Sequence, residues 1–273
     1  MEYPTLVPGT LLRRYKRFLA DVRLDDGREV VAHCPNTGSM RAVNVPGCRV
    51  WLAASDNPAR KLAWTWELIE LPQPEGGVAA ASVHTGRANR IVEEALRAGR
   101  VEELSGYAEI RREVRVEERL DGSDGGQGEG AGGGKGRERT RLDFCLEDPR
   151  RATAFVEVKQ VTLREADGHG YFPDAVSARG RRHLEALAAL AARGHRAVLL
   201  FCVAHEGIAD VAPAVHLDPA YAATLREVAA RGVEVLARRC EIRRAGGVPV
   251  EVRLGKGLPV SLTRQVDASA IVD

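Results

Sequence analysis

Alternating apolar and polar residues predict a series of short β-strands in the first part of the chain. The alternation covers residues 17–24, 29–33, 49–53 and 63–69. Between the first two strands, Asp25-Asp26-Gly27 is a hairpin turn signal. Short strands at this spacing are typical of a small barrel. We therefore predict an OB-like β-barrel domain over residues 1–82, with its edge at the proline- and glycine-containing stretch 72–77.

The pattern then changes to one in which helical and strand periods alternate. Apolar residues recur at helical spacing over residues 87–104, 175–193 and 221–231. Strand patterns cover residues 113–120, 140–146, 152–161, 196–204 and 233–242. The order is helix, three strands, helix, strand, helix, strand, which predicts an α/β or α+β domain with a mixed sheet. We assign it to residues 83–262, followed by a C-terminal tail at 263–273.

A glycine-rich run interrupts the second domain. Residues 121–136 are mostly glycine with a few polar residues, which cannot bury apolar surface. We predict a flexible insert between two strands. The run is not a P-loop, because Glu129 and Gly136 break the G-x-x-x-x-G-K-[ST] pattern.

Composition and charge exclude several classes of protein. A hydrophobic share of 44%, a charged share of 29% and a net charge of +2 are typical of a soluble globular protein. Five scattered cysteines without a C-x-x-C pair argue against a disulfide framework or a zinc knuckle. The N-terminus has no apolar signal region, and no apolar stretch reaches membrane-spanning length. We therefore expect no membrane association and a cytoplasmic location.

Two strand-like stretches carry the candidate chemistry. In Arg141-Leu142-Asp143-Phe144, Asp143 shares a strand face with Arg141, and in residues 155–159 Glu157 shares a face with Lys159. If the strands are neighbours, two carboxylates and a lysine meet, as in the D-x(n)-E-x-K signature of restriction-type nucleases. The carboxylates would hold Mg²⁺ and the lysine would assist attack by water. The alternative is a pair of surface carboxylates on half-exposed strands.

Together with other motifs, these stretches resemble the sugar fermentation stimulation protein A family. The matching segments are residues 14–22, 33–40, 61–68, 88–90, 104–107, 141–144, 157–163, 170–176, 179–180 and 183–184. The resemblance implies an N-terminal OB-type domain, a C-terminal restriction-endonuclease-like PD-(D/E)xK domain, and DNA binding. It implies a site at Asp143, Glu157 and Lys159 with Mg²⁺ or Mn²⁺, and Glu94 as a further metal ligand. The glycine-rich insert and the tail after residue 262 depart from the family pattern.

Three further groups are candidate nucleic-acid contacts. Tyr15, Lys16 and Arg17 precede Phe18 and interleave aromatic with basic side chains, as single-strand binders do. Phe18 itself could instead be a core residue, and we interpret the tryptophans at 51, 64 and 66 as packing residues. The polar loop containing Asn36 and Thr37 could present backbone N–H groups to phosphate. Asp174, Arg179 and His183 lie at the start of a long helix. There they could contact phosphate, or they could simply cap the helix and form part of its solvated face.

The sequence therefore supports a DNA-binding protein with a metal-dependent nuclease-like site. The alternative is a non-catalytic, largely sequence-independent DNA-binding regulator of sugar (maltose) metabolism, as the family's name suggests. A serine hydrolase is poorly supported, because the chain has no G-x-S-x-G motif. The choice between single-stranded and duplex DNA stays open, and a homodimer is one option for the assembly.

Overall fold

The computed structural model describes residues 1–74, 76–117 and 139–272, so the predicted insert at 121–136 lies outside the described residues. The N-terminal strands are β1 (Leu6–Tyr15), β2 (Leu19–Leu24), β3 (Glu29–His33), β4 (Arg49–Ala54), β5 (Trp64–Pro72) and β6 (Val78–Ser82). They form one sheet in the order β3-β2-β1-β4-β5-β6, and a parallel pairing of β3 with β5 closes it. This closure confirms the predicted OB-like barrel.

The sequence pattern missed β1 and began β2 two residues too early. Lys16 and Arg17 have left-handed backbone angles, with φ of 48° and 64°, so they form the turn between β1 and β2. Gly9 lies inside β1, where a Cβ atom would come within 2.7 Å of Val22 and 2.8 Å of the Arg23 carbonyl oxygen. Glycine is required there because β1 and β2 approach closely, and it weakened the strand signal.

The second domain is built on a six-stranded mixed sheet. Its strands are β7 (Glu109–Glu117), β8 (Arg139–Glu147), β9 (Ala154–Val161), β12 (Arg196–Val203), β14 (Glu234–Ala245) and β15 (Val248–Leu258), in the order β15-β14-β12-β9-β8-β7. The central strands β9, β12 and β14 are parallel to one another. A small second sheet contains β10 (Leu163–Arg164), β11 (Gly170–Phe172) and β13 (Val211–Pro213). The predicted mixed sheet is confirmed.

Helices cover both faces of the large sheet. Helix α1 (Ala88–Arg97) packs on one face, and helices α2 (Ala178–Ala192) and α3 (Pro219–Ala230) pack on the other. Helix α1 is shorter than predicted, because Gly99 follows it in a left-handed conformation with φ of 64°. The apolar residues that extended the pattern, Val101 and Leu104, are buried in and beside a separate 3₁₀ turn.

The barrel packs against the α1 face of the second domain, and the two share a hydrophobic core. Met1 and Tyr3 belong to the same buried cluster as α1, and the Met1 amino group donates to the Val252 carbonyl oxygen at 2.8 Å. Arg87, just before α1, forms a buried two-point ion pair with Glu67 of β5. The predicted division after residue 82 falls between β6 and α1 and stays a prediction.

The predicted tail docks onto the rest of the molecule. The Val272 N–H donates to Glu165 at 2.7 Å, and the Val272 carbonyl oxygen accepts from Arg41 of the barrel domain at 2.6 Å. The tail therefore connects the small sheet to the barrel. Within the three described ranges, no helix is both long enough and apolar enough to cross a membrane.

Candidate active site

A cleft with a volume of about 730 Å³ lies between the barrel and the second domain. Its floor comes from β8 and β9, and its walls come from a barrel loop, the turn before α1 and the start of α2. The structure brings eight of the predicted site residues to this cleft: Asn36, Thr37, Asp143, Glu157, Lys159, Asp174, Arg179 and His183.

Strand alternation positions the catalytic candidates. Val156 and Val158 point into the core beneath α1, so Glu157 and Lys159 project from the opposite face, toward α2. The antiparallel pairing of β8 with β9 brings Asp143 next to them. The predicted meeting of an aspartate, a glutamate and a lysine is therefore present.

Both oxygens of Asp143 accept hydrogen bonds. Oδ1 accepts from the Asn89 side chain of α1 at 2.7 Å, and Oδ2 accepts from the Val158 N–H at 2.8 Å. Burial raises the pKa of Asp143 above its ordinary value, and the nearby charge of Glu157 adds to this rise. The carboxyl is fixed in place but resists carrying a negative charge next to Glu157.

Glu157 is almost fully buried, and only one of its two carboxylate oxygens has hydrogen-bond partners among the described residues. Its Oε1 accepts from Lys159 Nζ at 2.6 Å and contacts His183 Nδ1 in a short hydrogen bond. Its Oε2 is buried and has no hydrogen-bond partner among the described residues. Burial alone raises the pKa of Glu157, but the hydrogen bond from His183 and the charge of Lys159 outweigh it and hold the pKa below its ordinary value. Glu157 is therefore an anion with one free oxygen.

Glu94 does not join this cleft. Its carboxylate pairs with the Met1 amino group at 2.9 Å and with Arg100 at 3.5 Å, and its side chain is 46% exposed. Asn89 of the same helix contacts Asp143 instead. Residues 89 and 94 are five positions apart, which on a helix turns their side chains roughly 140° away from each other. The expected third carboxylate from α1 is therefore replaced by an amide.

Asp174 and His183 contact protein groups. Asp174 accepts from the Ser39 hydroxyl at 2.7 Å and from the Met40 N–H at 3.2 Å. His183 is 6% exposed and lies between Glu157 and Arg179, whose Nε approaches His183 Nε2 to 3.3 Å. The sequence predicts these residues at the start of the helix, but α2 begins at Ala178, so Asp174 precedes it, and the partners of both residues come from elements distant in the chain.

Tyr15, Lys16 and Arg17 lie outside the cleft lining, at the turn between β1 and β2. Arg14 connects this turn to the cleft: its Nη2 donates to the carbonyl oxygens of Arg17 at 2.6 Å, Asn36 at 2.9 Å and Gly38 at 3.0 Å. Phe18, which could have been a core residue, is 47% exposed. The tryptophans at 51 and 66 are buried, as the packing interpretation predicts.

Strand β7 contains an irregular residue at the edge of the cleft that the sequence pattern did not predict. Arg112 pairs with Phe144 and Val114 pairs with Leu142, so the register is unchanged, but Glu113 between them, opposite Asp143, has a left-handed backbone with φ of 53°. Glu113 and Arg141 both line the cleft and form an ion pair at 3.2 Å. No local pattern predicts this conformation, because a positive φ is uncommon for any residue other than glycine.

The donor set fits a hard divalent cation that keeps part of its water shell. The described part of the chain has no cluster of three or more histidine, cysteine, aspartate or glutamate side chains arranged to hold a metal. Mg²⁺ in phosphate-handling sites is commonly held by only one or two carboxylates, with water and phosphate as the other ligands. The unpaired Oε2 of Glu157 beside Asp143 meets that requirement.

A closed OB-like barrel joined to a mixed-sheet domain with this Asp-Glu-Lys set defines a two-domain protein of the restriction-endonuclease-like class. Family models agree: "SfsA N-terminal OB domain" matches residues 12–78, and "Sugar fermentation stimulation protein RE domain" matches residues 134–246. The chain belongs to the sugar fermentation stimulation protein (SfsA) family, which confirms the resemblance found in the sequence.

Relatives match nearly the whole chain. A sugar fermentation stimulation protein homolog of Chromohalobacter salexigens is 62% identical over 97% of this chain and 97% of its own length. The homolog of Shewanella sp. strain MR-4 is 49% identical over 94% of this chain and 97% of its own. Among solved structures, Pyrococcus furiosus SfsA in complex with Ca²⁺ superposes with a TM-score of 0.74 at 27% identity, covering 96% of this chain and 98% of that one.

Proposed function

We propose that this protein binds DNA and cleaves its phosphodiester bonds with a divalent cation, Mg²⁺ or Mn²⁺. The observation that carries the proposal is the unpaired, buried Oε2 of the Glu157 anion, next to Asp143 and Lys159. A buried acceptor without a partner is costly, and a bound cation would remove that cost.

Each residue of the set has a defined role in this proposal. Asp143 and Glu157 would hold the cation, which when bound would polarise the scissile phosphate. Asn89 and the Val158 N–H orient Asp143, while His183 orients Glu157. Lys159, 17% exposed, is near enough to the cleft to hold the attacking water or to neutralise charge that develops on the phosphate.

The structural relative supports a cation at this fold. The Pyrococcus furiosus protein is described in complex with Ca²⁺, which, like Mg²⁺, takes oxygen ligands. Its match covers 96% of this chain. We extend cation binding to this chain by that similarity.

Cationic side chains that could contact a polyanionic substrate lie in and beside the cleft, and those that line it are matched by an equal number of lining carboxylates, Glu113, Asp143, Glu157 and Asp174. Arg112, Arg141, Arg179 and Lys159 line the cleft, and Lys16 and Arg17 are exposed at the turn that Arg14 ties to it. Cationic side chains of this kind contact phosphates without reading sequence. Five free thiols agree with action in the reducing cytoplasm, which we propose as the location.

A second candidate function is DNA binding without cleavage, as a regulator. One observation favours it: both oxygens of Asp143 already accept hydrogen bonds, and burial raises its pKa, so Asp143 is satisfied without a cation. In that case the cleft would hold nucleic acid, but Asp143 would serve only to connect β9 with α1 through its hydrogen bonds to Val158 and Asn89.

The test is cleavage of labelled single-stranded, duplex and branched DNA with Mg²⁺ or Mn²⁺, comparing the wild type with Glu157→Ala. The matched control is Glu147→Ala, because Glu147 is an exposed glutamate that pairs with Arg111 at the far end of β8. Cleavage that needs the metal and disappears only in Glu157→Ala supports the nuclease. Salt-sensitive binding without cleavage of any substrate replaces it with the regulator.

A further inference from the structure

One barrel loop, residues 35–40, is attached at both ends to the second domain. At its start, the Pro35 carbonyl oxygen accepts from the Thr85 hydroxyl at 2.8 Å. At its end, Asp174 accepts from the Ser39 hydroxyl at 2.7 Å and from the Met40 N–H at 3.2 Å. Thr85 precedes α1 and Asp174 precedes α2, so the loop spans two separate segments of that domain. We call residues 35–40 the strap.

The strap is also held from within the barrel and is tightly built. Arg14 Nη2 donates to the carbonyl oxygens of Asn36 and Gly38 at 2.9 and 3.0 Å, and Asn36 Oδ1 accepts from the Gly38 N–H at 2.9 Å. A Cβ atom on Gly38 would lie 3.0 Å from Asn36 Oδ1 and 3.4 Å from Asp174 Oδ2. Hydrogen bonds at both attachments and along its length therefore hold the loop in the observed conformation.

Between its two attachments, the strap borders the candidate active site. Asn36, Thr37 and Gly38 line the same cleft as Asp143 and the other catalytic candidates. The cleft volume of about 730 Å³ lies in the range of pockets that enclose a single small ligand. In a B-form duplex the major groove alone is about 12 Å wide, so the whole duplex is wider than a space of this volume. A short segment of one strand is of the right size.

We propose that the strap limits the site to single-stranded DNA with a free end, which must thread between the strap and the floor of the cleft. This rests on the proposed function and adds the substrate class to it. A continuous circle has no end to thread, so it can reach Asp143 and Glu157 only when one of the strap's two attachments, at Asp174 or at Thr85, opens.

The experiment compares a linear fluorescent single-stranded oligonucleotide with the same sequence ligated into a circle. Binding is measured by anisotropy in EDTA, and cleavage is measured separately in Mn²⁺. If the open state is a minor population, the apparent affinity falls by that fraction, so we expect the circle to bind about tenfold or more weakly than the linear strand. Equal binding of the two forms overturns the proposal.

Variants at the strap test whether its two attachments cause the difference in binding between circle and linear strand. Ser39→Ala removes one hydroxyl and both of its hydrogen bonds to Asp174, and Thr85→Val frees the other attachment. Either variant should bring circle binding toward linear binding, whereas Ser55→Ala, a barrel serine outside the cleft lining, should leave the ratio as in the wild type. Thermal melting shows whether each variant is folded. Two variants are used so that the experiment can still be read if one of them does not fold.

The experiment distinguishes a failure of the strap proposal from a failure of the nuclease proposal. If the linear strand binds more tightly than the circle and neither is cleaved, the result supports the role proposed for the strap and contradicts the proposed nuclease activity. Metal-dependent cleavage of circle and linear strand at the same rate supports the nuclease and contradicts the strap. A strap variant that is folded but keeps the wild-type ratio also contradicts the strap.

Discussion

Replacing His183 should weaken cation binding without unfolding the protein. The imidazole is 6% exposed and makes a short hydrogen bond to Glu157 Oε1, on the carboxylate whose other oxygen is free. Without it, Glu157 keeps only Lys159 as a partner at Oε1. Loss of an outer partner of a metal ligand typically costs 10–100-fold in metal affinity, which is about 1.4–2.7 kcal/mol. We expect His183→Ala to show a loss in this range.

The assay is calorimetric titration of Mn²⁺ into folded wild type, His183→Ala, His183→Asn and His195→Ala. Asparagine offers an N–H close to the position of Nδ1, so it should restore part of the affinity. His195 packs edge-on against Phe155, at a centroid distance of 5.2 Å, and is not part of the cleft lining, so its variant controls for loss of a histidine ring. Wild-type Mn²⁺ affinity in folded His183→Ala would refute the reasoning.

Three further predictions concern the domain contact, the barrel turn and the response to acid. Arg87→Ala leaves Glu67, 2% exposed, as a buried charge without its ion pair, so urea denaturation should show a free energy of unfolding lower by about 3–5 kcal/mol; a loss below 1 kcal/mol would contradict the buried pair. Phe18→Ala should weaken single-stranded DNA binding by roughly 1–3 kcal/mol if one base stacks there, with Phe18→Trp retaining it in the same gel-shift assay. Burial lowers the pKa of His205 from 6.5 to about 4 in the folded protein. In the unfolded chain His205 keeps its ordinary pKa, so as the pH falls the unfolded chain binds a proton before the folded protein does. Stability should therefore drop between pH 6.5 and 4 by up to about 3 kcal/mol, and His205→Gln should flatten this part of the profile in denaturant melts at each pH.

The domain types and the central site could be predicted because they depend on local patterns. Strand alternation alone puts Glu157 and Lys159 on one face, and the mixed sheet then brings Asp143 beside them. The resemblance to the SfsA family added the restriction-endonuclease-like fold of the second domain, and the family models confirm this fold and the OB-like barrel.

The features that escaped prediction depend on contacts between distant segments. Asn89 replaces Glu94 at the site because helix rotation, which a charge pattern does not register, decides which side chain faces Asp143. Asp174 resembled a helix-start residue, but its partners Ser39 and Met40 lie about 135 positions away in the chain. Glu113 likewise has a left-handed backbone that no local pattern in β7 indicates, and its side chain pairs with Arg141 of β8.

The most direct test of the central claim is single-turnover cleavage of a linear single-stranded substrate in Mn²⁺ by the wild type and Lys159→Met. Methionine is an unbranched side chain only one atom shorter than lysine, and it removes the charge that pairs with Glu157 at 2.6 Å. The account predicts wild-type cleavage and a rate lower by about 10²–10³-fold in the variant, with DNA binding in EDTA close to that of the wild type. Cleavage by Lys159→Met at the wild-type rate would contradict it.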